Sequence, residues 1–261
     1  MTQSSVAVTG DGRSWAVLNA SPDIRAQLAA TAELHPDGLR GTPIRSVVLT
    51  NGDIDHVAGL LTLRERTAFD VFATGAGLDI LGSNGVFGVL APDLVHQRRI
   101  ALGEPFEPAP GLAVTAFAVP GKVALFLEDG EPDTKLVGEQ TVALEIEGGG
   151  RRALYVPGCA AVTDDLMARA AGADLLLFDG TVWEDDDMSA TGTGTKTGRR
   201  MGHLPMSGPE GSLARLSGLG ARKVFIHVNN TNPVLQPDSP QRAAIGTAGW
   251  ELAQDGMELI P

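Results

Sequence analysis

Three aliphatic runs in this chain stop abruptly in side chains able to hold a metal ion, and no other feature constrains its fold as tightly. The run at 44–50 breaks into Asn51-Gly52-Asp53-Ile54-Asp55-His56, the run at 174–178 into Asp179-Gly180-Thr181, and the run at 223–226 into His227-Val228-Asn229-Asn230. A strand that ends this way delivers a side chain at a fixed position, while the loop beyond it gives access. A fourth candidate, His203, follows Gly202 in a loop just before a helix. Taken singly, each has a plainer reading: Asp55-His56 as a helix cap with a surface histidine, Asp179 as a turn former, His227 as a core histidine, His203 as loop. Their joint occurrence carries the argument, since three of the five histidines sit at such positions. Imidazole and carboxylate together suit zinc, iron or manganese, and two imidazoles with one carboxylate and open positions suit a non-haem Fe(II) site.

The segments around these runs alternate between strand and helix patterns. Residues 5–9 and 14–18 flank a Gly10-Asp11-Gly12 turn and predict a β-hairpin. Ser21-Pro22 reads as a helix start, with Ser21 as the cap. Helices are further predicted over 57–66, 78–81, 93–98, 163–171, 208–216 and 241–251, and strands over 71–73, 112–117, 123–127, 141–146 and 152–156. The stretch 184–202, rich in glycine and threonine, predicts a mobile loop or lid. Strands come in batches rather than in strict alternation with helices. This favours an α/β fold of the αβ/βα sandwich type, two mixed β-sheets with helices outside, over a doubly wound sheet. No linker or shift of composition divides residues 1–261, so they form a single domain. The 33 glycines and the aromatic content of 5% fit many tight turns between short strands.

Several classes of function are excluded or disfavoured. A formal charge of −12 opposes nucleic-acid binding, which takes lysine and arginine. No apolar run approaches a membrane span, and the first ten residues lack a signal core, so a cytoplasmic location is expected. The lone Cys159 cannot form an internal disulfide. No phosphate loop, nucleophile elbow or CxxC pair is present, and Gly192-Thr193-Gly194 precedes no strand-to-helix turn.

The run Asn51-Gly52-Asp53-Ile54-Asp55-His56-Val57-Ala58-Gly59-Leu60 resembles the H-x-H-x-D-H signature of the metallo-β-lactamase superfamily, with Asn51 and Asp53 in place of the first two histidines. Together with Leu18-Asn19-Ala20-Ser21-Pro22-Asp23-Ile24-Arg25, Phe178-Asp179-Gly180-Thr181, Met201-Gly202-His203-Leu204-Pro205 and Ile226-His227-Val228-Asn229-Asn230-Thr231-Asn232-Pro233, it is similar to the branch of that superfamily serving pyrroloquinoline quinone (PQQ) biosynthesis. The superfamily's third histidine would fall near Val119-Pro120-Gly121-Lys122, and its bridging aspartate near Cys159. Neither is there, so the resemblance implies one metal in place of two.

That resemblance implies Fe(II), with zinc as the alternative, held by Asp55, His56 and His227. Asp179 and His203 would complete the shell or handle protons beside it. The implied reaction is oxygen-dependent hydroxylation of the tyrosine ring in a Glu–Tyr unit from a precursor peptide. Its partners are then a dipeptide-like substrate and dioxygen, with a homodimer as a further possibility. Arg25, Asn51 and Asp53 are candidates for binding substrate. Members of this branch begin earlier, with a strand and a cysteine cluster holding a structural zinc, which Cys159 alone cannot assemble. A zinc hydrolase of phosphodiesters or esters, and a non-enzymatic carrier that aids release of the finished quinone, are the competing readings of the same residues.

Overall fold

The computed structural model describes residues 2–261. Strands β1 (Val6–Thr9) and β2 (Trp15–Leu18) form the expected antiparallel hairpin, closed where Asp11 Oδ1 accepts the amide hydrogens of Arg13 and Ser14. Helix α1 (Ile24–Ala30) leads to β3 (Ile44–Val48), then α2 (Ile54–Val57), β4 (Phe69–Ala73), α3 (Gly75–Ser83) and β5 (Val95–Arg99). These strands make a five-stranded sheet in the order β1-β2-β3-β4-β5, parallel from β2 onward. The second sheet holds β6 (Pro105–Phe106), β7 (Ala113–Ala118), β8 (Val142–Gly148), β9 (Arg151–Val156), β10 (Leu175–Asp179), β11 (Arg222–Ile226) and β12 (Trp250–Leu252). It runs antiparallel from β6 to β9 and parallel from β9 to β12, so both sheets are mixed. Between these strands lie α4 (Asp164–Ala171), α5 (Asp187–Ala190), α6 (Ser212–Arg215) and α7 (Pro240–Thr247).

Side-chain alternation along the strands builds three apolar layers. Ala16, Leu18 and Val48 of the first sheet meet Val114, Leu144, Tyr155, Leu177 and Val224 of the second in a layer between the sheets. The opposite faces of the second sheet, including Leu154, Val156, Leu176, Phe178 and Phe225, pack on Leu166 of α4, Leu216 after α6 and Ile245 of α7. Val17, Val47 and Val71 of the first sheet pack on Ile24, Val57 and Leu81 in the same way. Parallel strands covered on both faces read as continuous aliphatic runs, which is why β3, β10 and β11 stood out in the sequence.

Several segments differ from their sequence-based expectation. Residues 93–98 are no helix: β5 pairs with the edge of β4, and Asp70 draws in His96 (3.5 Å) and Arg98 (3.3 Å) across the strands. Residues 123–127 are no strand. They contain a 3-10 turn, Leu125–Leu127, because the Leu125 amide hydrogen is taken by Asp53 Oδ1 at 2.9 Å and not by a neighbouring strand. The helix expected over 57–66 is α2 plus a 3-10 turn at Ala58–Leu61, since the Gly59 N–H turns outward to Ala20 O at 2.9 Å. Ser21 does not cap α1; Asp23 occupies that position and Ser21 Oγ pairs with Gln27 Oε1. The last predicted helix stops at Thr247, where Gly249 (φ 74°) turns the chain so that Trp250 can stack on Phe225 at 3.9 Å. Residues 184–202 are a folded segment rather than open loop. Asp187 caps the Trp183 and Glu184 amides, and Asp185 Oδ1 holds the Arg199 amide at 2.7 Å.

Phe178 is fully buried between its sheet and the outer helices and touches Trp250 edge-on. Phe178→Ala is expected to cost about 3–5 kcal/mol, read as a lower urea midpoint at unchanged slope.

Candidate metal centre

The strand ends foreseen in the sequence converge because β10 and β11 are parallel neighbours, with Asp179 level with Ile226. Asp179 closes β10, and His227 is the first residue beyond β11. His227 takes a left-handed backbone (φ 54°), one of three non-glycine residues to do so among those described, the others being Asn19 and Arg66. Such strain costs free energy and survives only where the surroundings impose it. Asp55 and His56 arrive from the first sheet on α2. His203 reaches the same edge on its loop, pinned by its own N–H to Gly198 O (2.9 Å) and by Leu204 N–H to Cys159 O (2.7 Å).

Two groups of ligand-type atoms result, Asp55 with His56 and His227, and Asp179 with His203 and His227. In the first, Asp55 Oδ2 lies 3.0 Å from His227 Nε2 and 3.9 Å from His56 Nε2. His56 is buried, and neither of its ring nitrogens has a hydrogen-bond partner among the described residues. A buried imidazole left this way is costly, and a metal ion bound by its ring would satisfy one of the two nitrogens. In the second group every lone-pair direction of Asp179 is occupied. Its Oδ2 takes His203 Nδ1 (2.7 Å) and the Cys159 N–H (3.2 Å), and its Oδ1 takes the Thr181 hydroxyl (2.6 Å) and N–H (3.0 Å). The Thr181 oxygen also lies 3.1 Å from His203 Nδ1 and 2.8 Å from His227 Nδ1. The hydroxyl engages the Nδ1 side of both rings and the carboxylate that of His203, so Asp179 fixes the imidazole beside it and is itself one of the ligand-type groups brought together here.

Electrostatics fit the same division. Burial pushes the His56 imidazole down to about 3, keeping it neutral as a ligand must be. Burial also opposes ionisation of Asp55, but the His227 hydrogen bond and the His56 ring outweigh it and hold the carboxyl well below its usual range. For His227 burial favours the neutral ring, and Asp55 and Asp179 on either side win, raising it. The donor set, a carboxylate with two imidazoles, fits a divalent transition metal.

A family profile described as a beta-lactamase superfamily domain matches residues 14–228. A coenzyme PQQ synthesis protein B from Ruegeria pomeroyi is 55% identical over 258 residues, covering 99% of this chain and 88% of that protein. One from Rhizobium meliloti is 56% identical, with 99% and 85% covered. The crystal structure of Zn2+-bound PqqB from Methylobacterium extorquens superposes with a TM-score of 0.98 at 56% identity, covering 100% of this chain and 88% of that one. The chain belongs to the coenzyme PQQ synthesis protein B family. A diphosphatase of the PhnP family shares the fold at a TM-score of 0.64 and 21% identity.

In this member of the PQQ synthesis protein B family the edge of the cluster is built differently from the two-metal signature. Asn51 Oδ1 is turned inward onto the Asp53 N–H (3.0 Å), and Asp53 Oδ1 holds the Leu125 amide, with Lys122 Nζ at 4.0 Å. Both expected substrate-binding residues therefore spend an oxygen on local structure. Lys122 and Glu128 are buried and paired at 3.0 Å, and Arg200 meets Glu128 at 3.0 Å, so a carboxylate bridges the Asp53 segment to the one carrying His203. Arg25 is not brought to the cluster: it is exposed on α1 and makes no hydrogen bond or ion pair with the described residues. Cys159 acts through its backbone, while its thiol donates to Ala161 O. Thr181 and Lys122 were not singled out in the sequence. A hydroxyl two residues beyond a strand-end carboxylate was the only signal for the first, and the second had none.

Two measurements probe these surroundings. Burial pushes the Cys159 thiol up to about 12, so the native protein should resist alkylation at mildly alkaline pH and react only when unfolded. For Glu128, burial raises the carboxyl but Lys122 and Arg200 outweigh it, leaving it below its ordinary 4.5. A folded-state value lowered in this way contributes stability that is present above 4.5 and lost as the pH falls through the lower folded value. Glu128→Gln should therefore cost about 1 kcal/mol at neutral pH, and urea titrations should show that gap closing in acid.

Proposed function

We propose that this chain acts in PQQ biosynthesis as a mononuclear non-haem iron oxygenase that hydroxylates the tyrosine ring of a Glu–Tyr unit derived from a precursor peptide. The observation that carries this reading is the group Asp55, His56 and His227, two imidazoles and one carboxylate with the His56 nitrogens otherwise unpaired. Ferrous iron, when bound there, supplies the activation of dioxygen that side chains cannot perform. In the overall reaction a ring C–H becomes C–OH, the second oxygen atom leaves as water, and two electrons come from a small reductant of the ascorbate or thiol class.

The protein's own part follows from the contacts above. Asp55, His56 and His227 would hold the ion, with one negative charge among them offsetting half of its own. Asp179 and Thr181 engage His203 Nδ1, which leaves Nε2 as the open nitrogen of that ring, with no hydrogen bond to a described residue. That nitrogen is placed to take or give a proton beside the ion. Asp179 stays ionised despite burial because His203 and His227 flank it, so it stabilises positive charge on His203 when the proton arrives. Asn51 and Asp53 at the two motif positions, both engaged locally, supply no imidazole for the second ion of a hydrolytic pair. Zinc is the alternative occupant, favoured by the Zn2+ in the M. extorquens protein.

Protein loaded anaerobically with Fe(II) is expected to consume oxygen and to yield a Glu–Tyr product one oxygen atom heavier by mass spectrometry, while the zinc form does neither. Asp55→Ala, His56→Ala and His227→Ala should each lose bound metal with the fold retained. Oxygen-independent phosphodiester cleavage by the zinc form, with no hydroxylated product from the iron form, would install the hydrolase in its place.

A further inference from the structure

A metal-binding histidine is ordinarily oriented by a hydrogen bond on its second ring nitrogen. His227 and His203 have that support from Thr181 and Asp179, and His56 has none. Its orientation must come from the backbone that carries it and from packing. The His56 carbonyl accepts the Ala20 N–H at 2.7 Å, and Ala20 O accepts the Gly59 N–H at 2.9 Å, so residue 20 is laced to α2 on both sides. The approach is close enough that a Cβ on Gly59 would lie 2.3 Å from Ser21 O.

What aims the Ala20 amide at His56 is the residue before it. Asn19 is fully buried and left-handed (φ 58°), a conformation asparagine tolerates better than other side-chain-bearing residues. Its side chain brackets the start of the metal-binding segment. Oδ1 accepts the Thr50 N–H at 2.9 Å, and Nδ2 donates to Thr50 Oγ1 at 2.9 Å and to the Tyr155 hydroxyl at 3.2 Å. Thr50 leads directly into Asn51, and Tyr155 lies on β9 of the other sheet. One asparagine therefore ties both sheets to the two ends of the segment bearing Asp55 and His56.

We propose that Asn19 is a positioning residue for the metal ligand His56, acting through Ala20 and Thr50; this rests on the metal reading above. Its left-handed turn points the Ala20 N–H at the His56 carbonyl, and its amide sets where the segment begins.

The test reads metal binding directly, by chelator competition for Zn2+ and by the visible spectrum of the Co2+ form. Asn19→Gly keeps the backbone turn and removes the bracket, while Asn19→Asp keeps the turn and the acceptor for Thr50. The glycine variant should bind Zn2+ about 10–100-fold more weakly with a shifted Co2+ spectrum, and the aspartate variant should recover to within about threefold of the parent. Tyr155→Phe removes the buried hydroxyl that meets Asn19 and Ser4 without touching the Thr50 arm, and should lose stability while keeping parental affinity and spectrum. Should Asn19→Gly not fold, Thr50→Ala, which deletes the hydroxyl half of the bracket, takes its place with the same expected direction. A folded bracket variant with parental affinity and spectrum, or an equal loss in Tyr155→Phe, overturns the proposal. Failure of the parent protein to bind either ion overturns the metal reading and this inference with it.

Discussion

The contact between His227 and Asp55 joins residues 172 apart in sequence, and the candidate centre depends on it. One partner rides on a helix of the five-stranded sheet, the other sits just past a strand of the seven-stranded sheet. Both are half-buried, and each carries the group that best satisfies the other at that edge. Paired, they lock the edges of the two sheets together where the chain also spends backbone strain. The layer of Leu18, Val48, Tyr155 and Leu177 beneath them provides the apolar burial that offsets such costs.

Around that contact the polar groups divide by how completely they are satisfied. Asp179 and Thr181 have their hydrogen bonds filled from within the protein, which makes them rigid supports. His56 has no hydrogen bond on either ring nitrogen. A fully bonded buried network specifies a geometry, whereas an unpaired imidazole beside a carboxylate and a second imidazole keeps a lone pair free for an ion. The mixture puts one unpaired imidazole beside a saturated carboxylate and hydroxyl, a contrast that residue type alone does not show.

The ion pairs of Lys122, Glu128 and Arg200 show how a departure from the superfamily signature is accommodated. Where that signature places histidines, this chain has Asn51 and Asp53, and a buried ammonium stands 4.0 Å from the Asp53 carboxylate. A fixed positive charge there balances the acidic groups and clips the 3-10 turn at Leu125–Leu127 to the metal-binding segment. The beta-lactamase fold of the PQQ synthesis protein B family thus keeps its shape while one half of the two-metal motif becomes an internal scaffold.

Asp55, His56, Asp179, His203 and His227 were legible from the sequence because each follows an aliphatic strand or sits in a recognisable motif, and those patterns arise from local geometry. The hairpin, the aliphatic strands and the layered sandwich were legible for the same reason: side-chain alternation and burial on both faces leave marks within a few residues. Residues 93–98 and 123–127 were misread because their conformation is decided by partners far along the chain, Asp70 on β4 in one case and Asp53 in the other. Arg25 was nominated as a cation within the Asp23-Ile24-Arg25 run, and a run of residues does not say which direction a helix faces. What tertiary structure alone decided was how the polar groups are shared out. That Asp179 is spent on His203, that His56 has nothing on its ring, and that Asn19 laces both sheets to the segment bearing Asp55 and His56 follow from the placement of residues two dozen to more than a hundred positions apart. Periodicity cannot encode such contacts, because hydrogen-bond partners are fixed by where strands end in space and not by the order in which they occur.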